Sequence, residues 1–122
     1  MARILIVDDS NMSRRIARSI LEGAGHEIVE ASDGMAALEQ YSLSHPQLVL
    51  LDLVMAGMYG IDVLKKLIEM DANAKVIIAS ADIQNFTRTA AMEAGAAAFV
   101  TKPISGETLL QTVGTVLGNE GR

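Results

Sequence analysis

The sequence predicts an α/β fold, a doubly wound sheet of five parallel strands in the order 2-1-3-4-5, built from (βα) units repeated five times. Three observations carry this. Short apolar runs alternate with segments of helical periodicity along the whole chain. The strongest runs are continuously apolar rather than alternating, which fits strands buried on both faces and hence a parallel sheet covered by helices. Right-handed crossovers then leave few topologies, chiefly this one, and five units are too few for an eight-stranded barrel.

Each element has its own signal. The first strand is Arg3–Val7, with Ile4, Leu5, Ile6 and Val7 in sequence. A helix follows over Asn11–Glu22, with Met12, Ile16 and Ile20 on one face, Ser10 as its N-cap, and Gly23 and Gly25 ending it. Glu27–Ala31 is a short second strand, and Gly34–Leu43 a helix with Met35, Leu38 and Tyr41 inward. Leu48–Leu53 is the strongest strand signal, followed by a helix over Ile61–Met70 through Ile61, Leu64 and Ile68. Lys75–Ala79 is the fourth strand. Asp82 is placed to cap a helix that runs to Ala94 and stops at Gly95. Ala97–Val100 is the fifth strand, and Ser105 caps a last helix that turns Leu109, Val113 and Val116 inward.

Composition narrows the function. At 122 residues the chain is expected to be one domain with a real core, since a chain of this size buries roughly two thirds of its unfolded surface. Half the residues are hydrophobic and a fifth charged, which excludes a disordered chain. The absence of cysteine excludes a disulfide scaffold, a thiolate zinc site and a cysteine nucleophile. A net charge of −5 lacks the basic footprint of a nucleic-acid binder, and two histidines make no His-rich metal site. No segment approaches the roughly 18 apolar residues of a membrane span. The N-terminal apolar stretch runs straight into Asp8 and Asp9, too short for a signal peptide. The expectation is a cytoplasmic protein without membrane insertion.

In open parallel sheets, ligands bind outside the carboxyl ends of the strands. Strand one ends in Asp8 and Asp9, strand three carries Asp52, strand four ends in Ser80, and strand five in Thr101, Lys102 and Pro103. In the order 2-1-3-4-5 these strands are neighbours. Ser32 and Asp33 end strand two at the sheet edge, outside the cluster. Taken singly, the Asp8 and Asp9 pair is a helix cap, Ser80 a loop hydroxyl and Lys102 a solvated lysine. Asp52 resists that treatment, because an aspartate in an apolar strand is costly to bury unpaired. One shared site explains all four strand ends at once. Close carboxylates raise one another's pKa, and a hard divalent cation such as Mg²⁺ relieves the repulsion through oxygen ligands. A metal, an ammonium and a hydroxyl around one carboxylate describe a phosphoryl site, in which the carboxylate itself can accept the group.

Val7-Asp8-Asp9-Ser10, Leu50-Leu51-Asp52, Gly60, Ser80-Ala81 and Lys102-Pro103 together resemble the signature of response-regulator receiver domains, over the whole chain. The nearest resemblance is to stand-alone, CheY-like receivers, since nothing follows the fifth helix. It implies a flavodoxin-like fold with residues 1–122 as a single receiver domain. It implies Asp52 as phosphoacceptor from a histidine kinase or histidine phosphotransfer protein. Asp9 would bind Mg²⁺ directly and Asp8 mainly through water, with the Val54 carbonyl as a further ligand. Ser80 and Lys102 would each take a phosphoryl oxygen. The Lys102–Pro103 bond would be cis, and Phe99 would be the aromatic switch. The sequence departs from the family pattern at Ala56 after Met55, at Tyr59 before Gly60 and at Val54, which bears on the loop's shape and the phosphoryl lifetime.

Other features weigh less. Arg14, Arg15 and Arg18 form a basic patch on the first helix, read first as a solvated face and second as a kinase docking surface. The seven methionines read as core and loop filler, and His26 and His45 as exposed loop residues unsuited to carry phosphate. Gly23-x-Gly25 follows a helix and is no dinucleotide loop. The fourth helix opens with Gln84, Asn85, Phe86, Thr87 and Thr89, mediocre helix formers that suit a segment with two arrangements. The leading function is a monomeric signalling switch, not an enzyme. Phosphorylation at Asp52 would present the helix 4–strand 5–helix 5 face to a downstream effector protein, with no direct role in binding nucleic acid. The alternative is a small aspartyl-phosphate phosphatase, which needs a second acid where Val54 stands. A flavin or nucleotide carrier would want a phosphate-binding loop where Asp8 and Asp9 repel phosphate.

Overall fold

The structure, a computed structural model, describes residues 2–55, 59–82 and 84–118. Its strands are β1 (Arg3–Val7), β2 (Glu27–Ala31), β3 (Leu48–Asp52), β4 (Val76–Ser80) and β5 (Ala98–Thr101). Its helices are α1 (Asn11–Gly23), α2 (Gly34–Ser44), α3 (Gly60–Met70), α4 (Asn85–Glu93) and α5 (Gly106–Leu117). All strand pairs are parallel and the order is β2-β1-β3-β4-β5, as the sequence predicts, in a flavodoxin-like arrangement. Predicted strand ends fall within one residue of those observed: β3 stops at Asp52, while β4 and β5 are each displaced one residue toward the C-terminus.

Successive residues of a strand point to opposite faces, and the core divides accordingly. Leu5, Val7, Val49, Leu51, Val76 and Ile78 face α2, α3 and α4. Ile4, Ile6, Leu48, Leu50, Ile77 and Val100 face α1 and α5. β1, β3 and β4 are buried on both faces, which is why their sequences read as unbroken apolar runs.

Two predicted helix faces are corrected. On α1, Met12 and Ile16 are exposed and Ile20 is only partly buried, while Ala17 and Leu21 are fully buried. The two stripes are adjacent, and the one with the small alanine faces the sheet. On α2, Met35 is exposed, Leu38 is half-buried, and Ala37 and Tyr41 take the inner positions. Methionine as core filler holds for Met55 but not for Met12, Met35, Met70 or Met92, which are exposed; Met1 and Met58 lie outside the described residues. Leu64 of α3 and Leu109 and Val113 of α5 are buried as predicted, with Ile61, Ile68 and Val116 partly buried beside them.

The predicted caps hold at both ends of the chain. Ser10 accepts from the Ser13 amide and Ser105 from the Thr108 amide. Asp82 is not the cap of α4, which starts later, with Gln84 as an N-cap residue that makes no side-chain capping bond. Asp82 lies two residues earlier and accepts from the Gln84 amide instead. His45 is exposed in a left-handed conformation at the end of α2. His26 is half-buried rather than exposed, because its Nδ1 accepts the Ala2 amide.

Candidate functional site

Register brings the predicted residues together. Val7 pairs with Leu51, so Asp8 and Asp52 leave β1 and β3 at the same level. Asp52 pairs with Ala79, and Ser80 with Thr101. β5 then passes directly to Lys102, whose amide donates to the Ser80 carbonyl at 2.8 Å. Carboxylate oxygens of Asp8, Asp9 and Asp52 lie within 4.8 Å of one another. Asp8, Asp52 and Ser80 are buried while Asp9 is exposed, so the cluster is a pocket with one open side.

Lys102 is the cation of this pocket. Its Nζ donates to Asp8 Oδ2 at 2.8 Å and stands 3.3 Å from Asp52 Oδ1. Burial disfavours the ammonium, but the two carboxylates outweigh it and hold the group above its ordinary value. Burial also pushes the Asp52 carboxyl up. The Lys102 charge opposes that shift and the Asp8 charge adds to it. The Asp52 carboxyl stays raised despite Lys102, which is the electrostatic setting a divalent cation relieves. The donor set fits Mg²⁺: among the described residues the cluster offers carboxylate oxygens and no nitrogen or sulfur ligand, and one side is open for water or phosphate.

The surrounding loops are fixed by backbone approach. Gly60 donates to the Leu53 carbonyl at 2.7 Å, which holds the start of α3 against the end of β3. A Cβ at Gly60 would lie 2.4 Å from the Asp52 carbonyl oxygen and 2.7 Å from Leu53 Cα, so no side chain fits there. Val54 projects outward, with two thirds (66%) of its surface exposed. Tyr59 is exposed as well, and the predicted departure at Ala56 lies outside the described residues. The Lys102–Pro103 peptide is cis, as the resemblance implies. Phe99 is half-buried against the α2–α3–α4 core, with the Arg88 guanidinium 4.8 Å above its ring. Asp33 caps α2 through the Ala36 amide and stays outside the cluster, as expected of the edge strand.

The arginine patch on α1 is a solvated face at Arg15 and in part at Arg18, and it carries pairs the sequence did not show. Arg14 and Arg18 both pair with Glu30 on β2, and Arg18 also with Glu22, so two of the three charges are neutralised in place. Arg14 has a role that sequence reasoning missed: its Nη1 donates to the Asp8 carbonyl at 2.6 Å, bracing the loop that carries the acids. The signal was Glu30, an acid set between the apolar Val29 and Ala31 of the edge strand. A cavity of about 690 Å³ opens at the opposite end of the sheet, lined by Ala2, His26, Tyr41, Asp71 and Leu117 among others. It contains none of the clustered acids, so the chemistry stays at the carboxyl ends of the strands.

The geometry agrees with what known proteins show. The sequence model of the response regulator receiver domain matches residues 4–114. The chain is 39% identical over 116 residues to the chemotaxis protein CheY of Bacillus subtilis, covering 94% of this chain and 97% of that protein. It is 36% identical over 115 residues to the CheY of Thermotoga maritima, covering 93% and 96%. Among solved structures, the CheX–CheY–BeF3–Mg²⁺ complex of Borrelia burgdorferi superposes with a TM-score of 0.90 at 33% identity, covering 93% of this chain and 87% of that one.

Proposed function

The chain belongs to the response regulator receiver family, and from that premise we propose that it works as a phosphorylation-driven switch with Asp52 as the phosphoacceptor. It is a receiver domain of a two-component system with an acidic pocket at Asp8, Asp9 and Asp52, not a classical enzyme. The observation that carries the finer reading is the placement of Lys102 Nζ within reach of both buried acids, 2.8 Å from Asp8 and 3.3 Å from Asp52.

In this reading an Asp52 carboxylate oxygen forms the bond to phosphorus. The bond from phosphorus to the donor's imidazole nitrogen breaks, and the electron pair leaves with that nitrogen. Lys102 is placed to pair with a phosphoryl oxygen and Ser80 to bond another, each meeting charge that develops during transfer. Asp8, Asp9 and Asp52, with the Val54 carbonyl, would hold Mg²⁺, which supplies charge neutralisation to acids and phosphate alike. The solved relative containing BeF3 and Mg²⁺ supports the same use of the pocket here. The partner upstream is a histidine kinase or histidine phosphotransfer protein, in keeping with a cytoplasmic receiver of residues 1–122. Among the described residues no helix is long and apolar enough to cross a membrane. The face that signals onward is α4–β5–α5, where Phe86 and Leu110 are exposed. Phe99 beneath it is the residue that changes place.

The test is incorporation of phosphate from a small acyl phosphate in the presence of Mg²⁺. The wild-type chain is expected to gain one alkali-labile phosphoryl group, and Asp52→Asn to fold and gain none. Labelling of that variant at the wild-type level overturns the assignment.

A further inference from the structure

We propose that Asp82 and Thr87 form a latch that holds helix α4 in the unphosphorylated arrangement and ties its release to movement of Ser80. The inference rests on the phosphoacceptor reading above and deepens it by naming positioning residues outside the acid pocket. Three hydrogen bonds join at Asp82. Its backbone amide donates to Ser80 Oγ at 3.0 Å. Its Oδ1 accepts the Gln84 amide at 3.0 Å, and its Oδ2 accepts the Thr87 hydroxyl at 2.7 Å. One residue thereby connects the hydroxyl at the end of β4 to the first turn of α4.

Several features make this a point of control rather than a local turn. α4 makes no side-chain capping bond at Gln84, unlike α1 and α5, which are capped by Ser10 and Ser105. Its start is therefore held by Asp82 from outside the helix. Thr87 lies with Ala91 on the buried face of α4, while Asn85, Phe86, Arg88 and Thr89 are exposed, so its hydroxyl is turned to the Asp82 carboxylate rather than to open solvent. One residue further on, Arg88 covers the Phe99 ring. Phe99 pairs with Ile78, and Ser80 follows Ile78 on the sheet face that α4 covers. Ser80, Asp82, Thr87, Arg88 and Phe99 thus form one contiguous path. A Ser80 hydroxyl that turns toward a phosphoryl group on Asp52 leaves the Asp82 amide. Asp82 loses its anchor on β4, and with it goes the tie that its bonds to Gln84 and Thr87 make between β4 and α4.

The arithmetic of a two-state switch sets the expected effect. A ligand selective for the active arrangement binds more weakly in proportion to how rarely that arrangement is populated. Removing the restraint raises the population and tightens the apparent affinity. The probe is beryllofluoride with Mg²⁺, titrated against wild type, Thr87→Val, Thr87→Ser and Asp82→Ala. Valine keeps the buried shape of threonine and deletes only the donor, whereas serine keeps the donor. We expect Thr87→Val and Asp82→Ala to bind about 10-fold more tightly, equivalent to about 1.4 kcal/mol, and Thr87→Ser to match wild type. With fluorinated phenylalanine in both Phe86 and Phe99, the Phe99 resonance of Thr87→Val should move toward its beryllofluoride-bound position before ligand is added. A purely structural bond would lower the melting temperature and leave affinity and resonance unmoved. Affinities of Thr87→Val and Asp82→Ala within twofold of a wild type that does bind would overturn the latch alone. Absence of binding by the wild type would overturn the phosphoacceptor reading and the latch with it.

Discussion

At Gly60 the Asp52 carbonyl oxygen occupies the space a side chain needs. Gly60→Ala is therefore expected to destabilise the fold by about 1–3 kcal/mol, the usual cost of overpacking. It should also slow phosphorylation, because the backbone of Asp52 must shift to admit the methyl group. Chemical denaturation checks the first effect. A variant as stable as wild type would show that the backbone yields freely. The presence of Gly60 in the motif was visible in the sequence, but this tertiary reason was not. Asp52 was legible because a charge at the end of an otherwise apolar strand has to be paired, and the structure pairs it with Lys102. Asp8, Asp9, Ser80 and Lys102 were legible by position, since a parallel sheet brings its strand ends together. The bond from Arg14 to the Asp8 carbonyl was not, because it joins α1 to the residue after β1 and only the fold brings the two together.

Strands were easier to read than helix faces. A strand buried on both sides leaves one reading of its apolar run, whereas α1 offers two adjacent apolar stripes, and only packing selects Ala17 and Leu21 over Met12 and Ile16. α2 is similar: Tyr41 is the inward anchor, and its hydroxyl donates to Asp71 Oδ2 at 2.8 Å at the end of α3. Burial pushes the Tyr41 phenol up to about 12, and the Asp71 carboxylate adds to the shift. The folded value stands above the ordinary one, so this contribution is fully present below pH 10.0 and is lost as pH rises through about 12. Tyr41→Phe removes the bond and should cost about 1–2 kcal/mol at neutral pH. The deficit relative to wild type should shrink across that alkaline window. Paired melting curves at neutral and alkaline pH measure it. A deficit that stays constant would mean that the phenol does not ionise differently in the folded chain.

The molecule as a whole places four strand ends on one rim and covers its sheet with two helical layers. α1 and α5 close one face, while the other face carries α4, Phe99 and Ser80 next to the acids. Clustered negative charge makes the fold sensitive to cations. Magnesium at about 100 times its dissociation constant should add about 2.7 kcal/mol of stability. Asp9→Ala should abolish most of that gain, and a melting series with and without chelator reads it directly. An unchanged gain in the variant would take Asp9 out of the metal site. The central claim is that one carboxylate, Asp52, carries the phosphoryl group, and borohydride trapping tests it most directly. The reagent reduces an aspartyl acyl phosphate to homoserine, so the modified position can be found by peptide sequencing after treatment with a small acyl phosphate and Mg²⁺. Homoserine at position 52 alone is the predicted result; homoserine at Asp8 or Asp9, or at no position in a chain that has taken up phosphate, would contradict it.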